Sequence, residues 1–131
     1  MNTEQKEKDR KPEPTKSELE ILRVLWEYGT STVRFVNDKL NEQREVNYTT
    51  TLKLMQIMVG KGILRREESN MKHAYSVAEE EQETKAHLLE KFVDTLYKGS
   101  ASKLVVQLLG NKKTTKKEVL EIKDMLKKLE E

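Results

Sequence analysis

Cysteine is absent from this chain of 131 residues. That excludes disulfides and thiolate metal sites, and it fits a reducing, cytoplasmic setting. Long apolar runs are missing as well. None approaches the roughly 18 residues of a membrane span, so no membrane association is expected, and the N-terminus lacks a signal-peptide core. Histidine is scarce: His73 and His87 have no acidic cluster at metal-ligand spacing, and a surface role is expected for both. No nucleophile–base pairing, phosphate-loop glycine pattern or catalytic carboxylate pair is present, so neither an enzyme nor a cofactor is expected.

Apolar residues are also in short supply, at 35% against 37% charged. A globular domain usually carries about 25% charged residues. So lean a core in so short a chain implies apolar surface buried against a partner. The net charge of +2 is too small to identify that partner, and its distribution matters more.

Three stretches follow. Residues 1–14, MNTEQKEKDRKPEP, hold both prolines and no apolar residue after Met1, and read as a disordered leader. In residues 15–78, Thr15 and Glu18 have the spacing of a capping box. The helix they open carries Leu19, Leu22, Leu25 and Trp26 on one face and ends at Gly29. Ser31 or Thr32 can cap a short second helix bearing Val33, Val36 and Leu40, and Glu42 to Glu45 form a polar connector. A third helix is expected from about Tyr48 to Lys61, ended by Gly62. Ile63 to Glu68 and Lys72 to Ala78 read as a hairpin turning at Ser69 and Asn70. Three short helices and a hairpin are the order of a winged helix-turn-helix.

Residues 79–131 read as helices only. Glu79 to Tyr97 carries Ala86, Leu89, Phe92, Val93 and Leu96 at helical spacing, with Glu79, Glu80, Glu81 and Glu83 complementing the dipole of its first turn. Ser100 can cap a short helix with Leu104, Val105, Leu108 and Leu109. Thr115 and Glu118 repeat the capping-box spacing ahead of Val119, Ile122, Leu126 and Leu129. Lys112, Lys113, Lys116 and Lys117 read as a solvated face. Three such helices enclose little by themselves, which points to a dimerisation arm. Its contacts are expected from Leu89, Phe92, Val93, Leu96, Leu104, Val105, Leu108, Leu109, Ile122 and Leu126. The fold class expected is therefore mainly α with a small β-hairpin wing, a winged helix-turn-helix followed by a helical dimerisation domain.

The third helix opens on three threonines, Thr49 to Thr51, behind Tyr48. β-Branched residues are poor helix starters. In a helix-turn-helix, however, this end enters the major groove, where short hydroxyl side chains let the backbone approach a duplex. Thr49 and Thr50 can bond phosphate or touch a thymine methyl, Lys53 lies one turn on, and Tyr48 can offer its hydroxyl to the duplex backbone. Thr51 is expected to turn inward. Asn47 or Thr49 acting simply as an N-cap is the plainer reading. Arg65, Arg66, Lys72 and His73 are expected around the hairpin tip, where a wing meets phosphates. Between Arg44 and Tyr75 six Lys/Arg stand against three Glu, a local excess of +3. Glu67 and Glu68 weigh against strong phosphate binding by the wing. The partner expected is double-stranded DNA. The alternative is a winged-helix protein–protein module without sequence-specific DNA binding.

"PTKSELEILRVLW", "YTTTLKLMQIMVGKGILRREE" and "HAYSV" together resemble the penicillinase-repressor and methicillin-resistance-repressor family of bacterial transcription regulators. The first helix ending in Leu-Trp, the Tyr-Thr-Thr opening and Lys61-Gly62 before the wing carry the resemblance, which spans about Thr15 to Lys128. It implies a homodimeric repressor on a palindromic operator, with Tyr48, Thr49, Thr50 and Lys53 facing the groove and helices from Ala86 onward forming the dimer arm. Family members usually have a smaller polar residue where Lys53 stands. Release in the β-lactam branch is implied to follow cleavage at an Asn-Phe bond. This chain has no Asn-Phe pair, and the equivalent region reads "KLVVQLLG". A regulatory protease is thus a candidate partner only through another bond. The copper-sensing branch needs C-terminal cysteines, which this chain lacks.

Overall fold

In the computed structural model, which describes residues 13–69 and 72–130, the chain divides between His87 and Leu88 into two units. The expected leader lies outside the described residues except for Glu13 and Pro14, which precede the first helix.

Helix α1 (Lys16–Tyr28) starts at the anticipated capping box. The Glu18 amide donates to Thr15 Oγ1 at 3.2 Å, and the Thr15 amide donates to Glu18 Oε1 at 2.8 Å. Glu18 is also interior, at 1% exposure, and Lys61 Nζ donates to both its carboxylate oxygens at 3.1 Å. The pair ties the start of α1 to the end of the third helix. Gly29 follows α1 at φ 80, a left-handed conformation that costs glycine little.

The next element is one that the residue pattern did not suggest. Ser31–Thr32 form a two-residue strand, β1, paired with the second hairpin strand through Ser31↔Tyr75 and Thr32↔Ala74. Thr32 also caps helix α2 (Val33–Asn41), accepting from the Phe35 amide at 3.2 Å. Ser31 is therefore a buried strand residue and not the cap. Two residues are too few to show an alternating pattern, and only the pairing defines them.

Helix α3 (Tyr48–Gly60) follows the connector. Gly62, at φ 80, then turns the chain into a hairpin of β2 (Leu64–Ser69) and β3 (Lys72–Val77). Ser69 pairs with Lys72, so it ends a strand instead of starting the turn. Asn70, the other expected turn residue, lies outside the described residues. The sheet is antiparallel in the order β1-β3-β2. The core draws Ile21, Leu22 and Leu25 from α1, Val33, Val36 and Leu40 from α2, Met55 and Met58 from α3, and Leu64 and Tyr75 from the hairpin. Leu19 and Trp26, expected on the inner face of α1, are partly buried at its edge.

Helix α4 (Glu81–Tyr97) starts later than its acidic run, so Glu81 and Glu83 occupy its first turn while Glu79 and Glu80 precede it. Thr84 Oγ1 donates to Glu79 Oε1 at 2.8 Å, and Lys85 pairs with Glu81 at 3.1 Å. Thr84 is buried, and His87, three residues on and on the same face, is half-buried with its Nε2 enclosed and without a protein partner. His87 is thus not the surface histidine that was expected.

In the second unit, Gly99 ends α4 with its amide donating to the Val93 carbonyl at 3.1 Å. Ser100 caps α5 (Ala101–Leu109), accepting from the Lys103 amide at 3.3 Å. Thr115 and Glu118 form their capping box ahead of α6 (Lys116–Glu130), each side chain accepting from the other's amide at 3.1 Å. No described residue from Leu88 onward is buried. The protein is mainly helical, a winged helix followed by a helical stretch. Among the described residues no helix is long and apolar enough to cross a membrane.

Burial pushes the Glu18 carboxyl up. The Thr15 amide, Lys61 and the Thr15 hydroxyl together outweigh that, and its pKa falls below the ordinary 4.5. A lowered folded-state pKa means stabilisation that is present above the unfolded value and lost as pH falls through the folded one. Glu18→Gln is expected to cost about 2 kcal/mol near neutral pH. The deficit should shrink as the pH of urea melts is lowered through the carboxylate range, because acid removes the same charge from the wild-type chain.

Candidate nucleic-acid interface

Helix α3 is anchored along its length and left bare at its start. Thr51, Met55 and Met58 face inward at helical spacing, whereas Tyr48, Thr49, Thr50 and Lys53 are exposed. Thr51 explains part of the unusual threonine run. It is fully buried, and its Oγ1 donates to Asn37 Oδ1 of α2 at 2.7 Å. The expectation that it turns inward holds. Thr49 and Thr50 have no such employment.

The connector that delivers α3 is pinned from two sides. Asn41 Nδ2 donates to the carbonyls of Asn37 and Val46 at 2.7 and 2.9 Å, and the Val46 amide donates back to Asn41 Oδ1 at 3.1 Å. Arg44 reaches Glu20 of α1 through Nε and Nη2, at 3.2 and 3.3 Å. Asn47 stands at the N-cap position, yet its side chain makes no capping hydrogen bond. The plainer reading of Asn47 as the N-cap therefore holds by position, though not through its side chain. The first amides of α3 are left with no side-chain cap from Asn47, beside exposed hydroxyls, an arrangement suited to phosphate oxygens.

The basic excess counted in this region changes character once partners are known. Lys61 is committed to Glu18 and Arg44 to Glu20, so neither offers a free charge. Lys53 retains an exposed side chain on α3. Arg65 and Arg66 are not at the hairpin tip. They pair with Ser76 and Tyr75, toward its base, and as neighbours on one strand they point to opposite faces. Glu68 and His73 sit nearer the tip, with His73 Nδ1 4.0 Å from Glu68 Oε1, while Ser76 Oγ donates to Glu67 Oε1 at 2.9 Å. Lys72 is placed by its backbone opposite Ser69. The wing therefore offers Arg65 and Arg66 on separate faces, each with a neighbouring glutamate, and not one basic patch.

One exposed cation escaped the sequence reading. Arg34 of α2 lies over the ring of Tyr48, its guanidinium carbon 5.2 Å from the centroid. Only the packing of α2 on α3 brings them together, since fourteen positions separate them in sequence. Tyr28 and Phe35 form an exposed aromatic pair, edge to face at 5.3 Å, with Lys39 Nζ 4.7 Å from the tyrosine centroid. Among the described residues no group of His, Asp or Glu could hold a metal ion.

The neighbouring threonines should separate cleanly in mutagenesis. Thr51→Val, which strands Asn37 Oδ1, is expected to lower unfolding free energy by about 1–2 kcal/mol. Thr50→Ala, at an exposed site, should stay within about 0.5 kcal/mol of the parent. Guanidinium melts of both variants, monitored by Trp26 fluorescence, would check the contrast.

Residues 14–128 match the penicillinase repressor family. Methicillin resistance regulatory protein MecI of Mammaliicoccus sciuri is 22% identical over 116 residues, 88% of this chain and 94% of that protein. The penicillinase repressor of Staphylococcus aureus is 24% identical over 110 residues, 84% of this chain and 87% of that one. The match takes in the winged helix and nearly all of the helical stretch after it, and the chain belongs to the penicillinase repressor family.

Proposed function

We propose that the protein is a homodimeric, sequence-specific DNA-binding transcriptional repressor acting in the cytoplasm. The observation that carries this reading is the division of labour along α3. Thr51, Met55 and Met58 hold the helix, and Tyr48, Thr49, Thr50 and Lys53 are left exposed at the end that a helix-turn-helix inserts in the major groove. Arg65 and Arg66, on separate faces of the wing, and Lys72 are each candidates for a phosphate contact beside it. The names of the relatives, a penicillinase repressor and a methicillin resistance regulator, support the same reading.

Dimerisation is the natural use of the second unit. Leu89, Phe92, Leu96, Val105, Leu108, Leu109 and Leu126 are exposed large apolar residues, and Val93, Leu104 and Ile122 are only partly covered. Helices this apolar and this uncovered need a partner, and a second copy brings an identical set. Two copies of α3 spaced about one duplex turn, roughly 34 Å, then match a palindromic operator and exclude polymerase from a promoter. Release follows a signal that the regulatory system supplies. Proteolysis is one route, at a bond other than Asn-Phe.

Two experiments test this. Fluorescence anisotropy should show the upstream DNA of the protein's own gene bound about a thousandfold more tightly than a scrambled duplex. Thr50→Ala combined with Lys53→Ala should abolish that preference without unfolding the chain. Equal, weak binding to both duplexes by the wild-type protein would instead favour a protein–protein module. In sedimentation equilibrium the full chain should run as a dimer, and Leu96→Glu with Leu126→Glu should run as a monomer. A wild-type monomer at every concentration would defeat the dimer.

A further inference from the structure

Arg34 and Tyr48 meet within a built frame. Asn37 stands three residues after Arg34 on α2, and Thr51 three residues after Tyr48 on α3, so each pair shares one helix face a turn apart. The inner members are joined by the hydrogen bond from Thr51 Oγ1 to Asn37 Oδ1 at 2.7 Å. That bond fixes the register in which the outer members meet, with the guanidinium 5.2 Å from the ring centroid. Both outer side chains are exposed.

A cation–π contact draws on the charge of a guanidinium and leaves N–H donors of its fork for a further ligand. Arg34 has no acidic partner among the described residues, whereas Arg44 is held by Glu20 and Lys61 by Glu18. It is therefore an oriented, uncompensated cation at the edge of the exposed threonines. The ligand such a fork takes best is a phosphate, gripped through two parallel N–H···O bonds. Tyr48, in turn, serves as the platform that holds the fork, a role separate from offering its hydroxyl.

We propose that Arg34, held over the ring of Tyr48, is a DNA-phosphate clamp that sets how α3 seats in the groove. The inference rests on the DNA-reading role given to α3 above. It adds a residue from a different helix, and its contribution is independent of base sequence.

The test compares the full chain with Arg34→Gln, Arg34→Lys, Tyr48→Leu and the Arg34→Gln/Tyr48→Leu double variant. Each is titrated by anisotropy against the upstream and scrambled duplexes over a range of salt, with thermal melts to show that it is folded. Arg34→Gln should weaken binding about tenfold on both duplexes alike. It should also reduce the slope of log affinity against log salt by about 0.9, the amount for one phosphate contact. Arg34→Lys should keep the slope and recover only part of the affinity, because an ammonium cannot fork. The double variant should lose less than the product of the two single losses, since both remove the same contact.

An Arg34→Gln variant with unchanged slope and affinity, in a protein that still prefers the upstream duplex, would overturn the clamp and leave the operator-reading role standing. Equal binding to both duplexes by the wild-type chain would overturn the operator-reading role. The slope comparison would still decide for or against Arg34, because phosphate contacts operate on any duplex. A folded wild-type chain that binds neither would overturn both.

Discussion

The hydrogen bond between Thr51 and Asn37 is the contact around which the first unit is arranged. It joins α2 to α3 at a buried point, where a hydroxyl and an amide oxygen would each be costly to leave unpaired. A helix rotated away from it would strand both groups and also withdraw Met55 and Met58 from the core. The outward set of α3 residues follows from this inward one. Once Thr51, Met55 and Met58 are committed, the helical period leaves Thr49, Thr50 and Lys53 no place except solvent. A β-branched run that weakens a helix start is thus divided into one residue that anchors and two that are free to act.

Charge is used in a comparable way. Several of the protein's cations are spent on holding elements together. Lys61 closes on the interior Glu18, so the end of α3 is tied to the start of α1, and Arg44 clamps the connector to α1 through Glu20. The first pair is buried on its acidic side, where loss of one partner leaves an unbalanced charge, and it contributes to placing α3. The second is exposed and is worth little in isolation. Of the cations that stay available, Lys53 lies on α3 and Arg34 at the edge of the exposed threonines. Net positive charge in this region is thus a poor measure of what a duplex would meet.

The second unit obeys a different constraint. Its helices are capped as carefully as those of the first, by Ser100 and by the reciprocal pair of Thr115 and Glu118. Local signals therefore define the helices well, while no described residue beyond His87 is buried within one chain. Capping and propensity stabilise helices only marginally without a packed face. The apolar stripes of α4, α5 and α6 have their physical justification in a surface that a single chain does not supply.

Much of this was legible from residue order alone. Capping boxes, glycine stops and 3.6-residue periodicity are local, and they located the six helices of the described residues to within a residue or two, as well as the inward turn of Thr51. Pairings between distant positions were not legible. The strand at Ser31 exists only because β3 lies beside it. Arg65 and Arg66 look like a tip cluster until the register with Ser76 and Tyr75 puts them near the hairpin base on opposite faces. Lys61 looks like a free cation until Glu18 is found beneath it. Arg34 looks unremarkable until α2 packs on α3 and lays it over Tyr48. Sequence by itself determined which segments are helices, where they stop and which stripe of each is apolar, because those depend on neighbours a few residues away. Tertiary structure alone decided which charges are spent and which remain, because an ion pair or a stack joins groups that the chain keeps far apart until it folds.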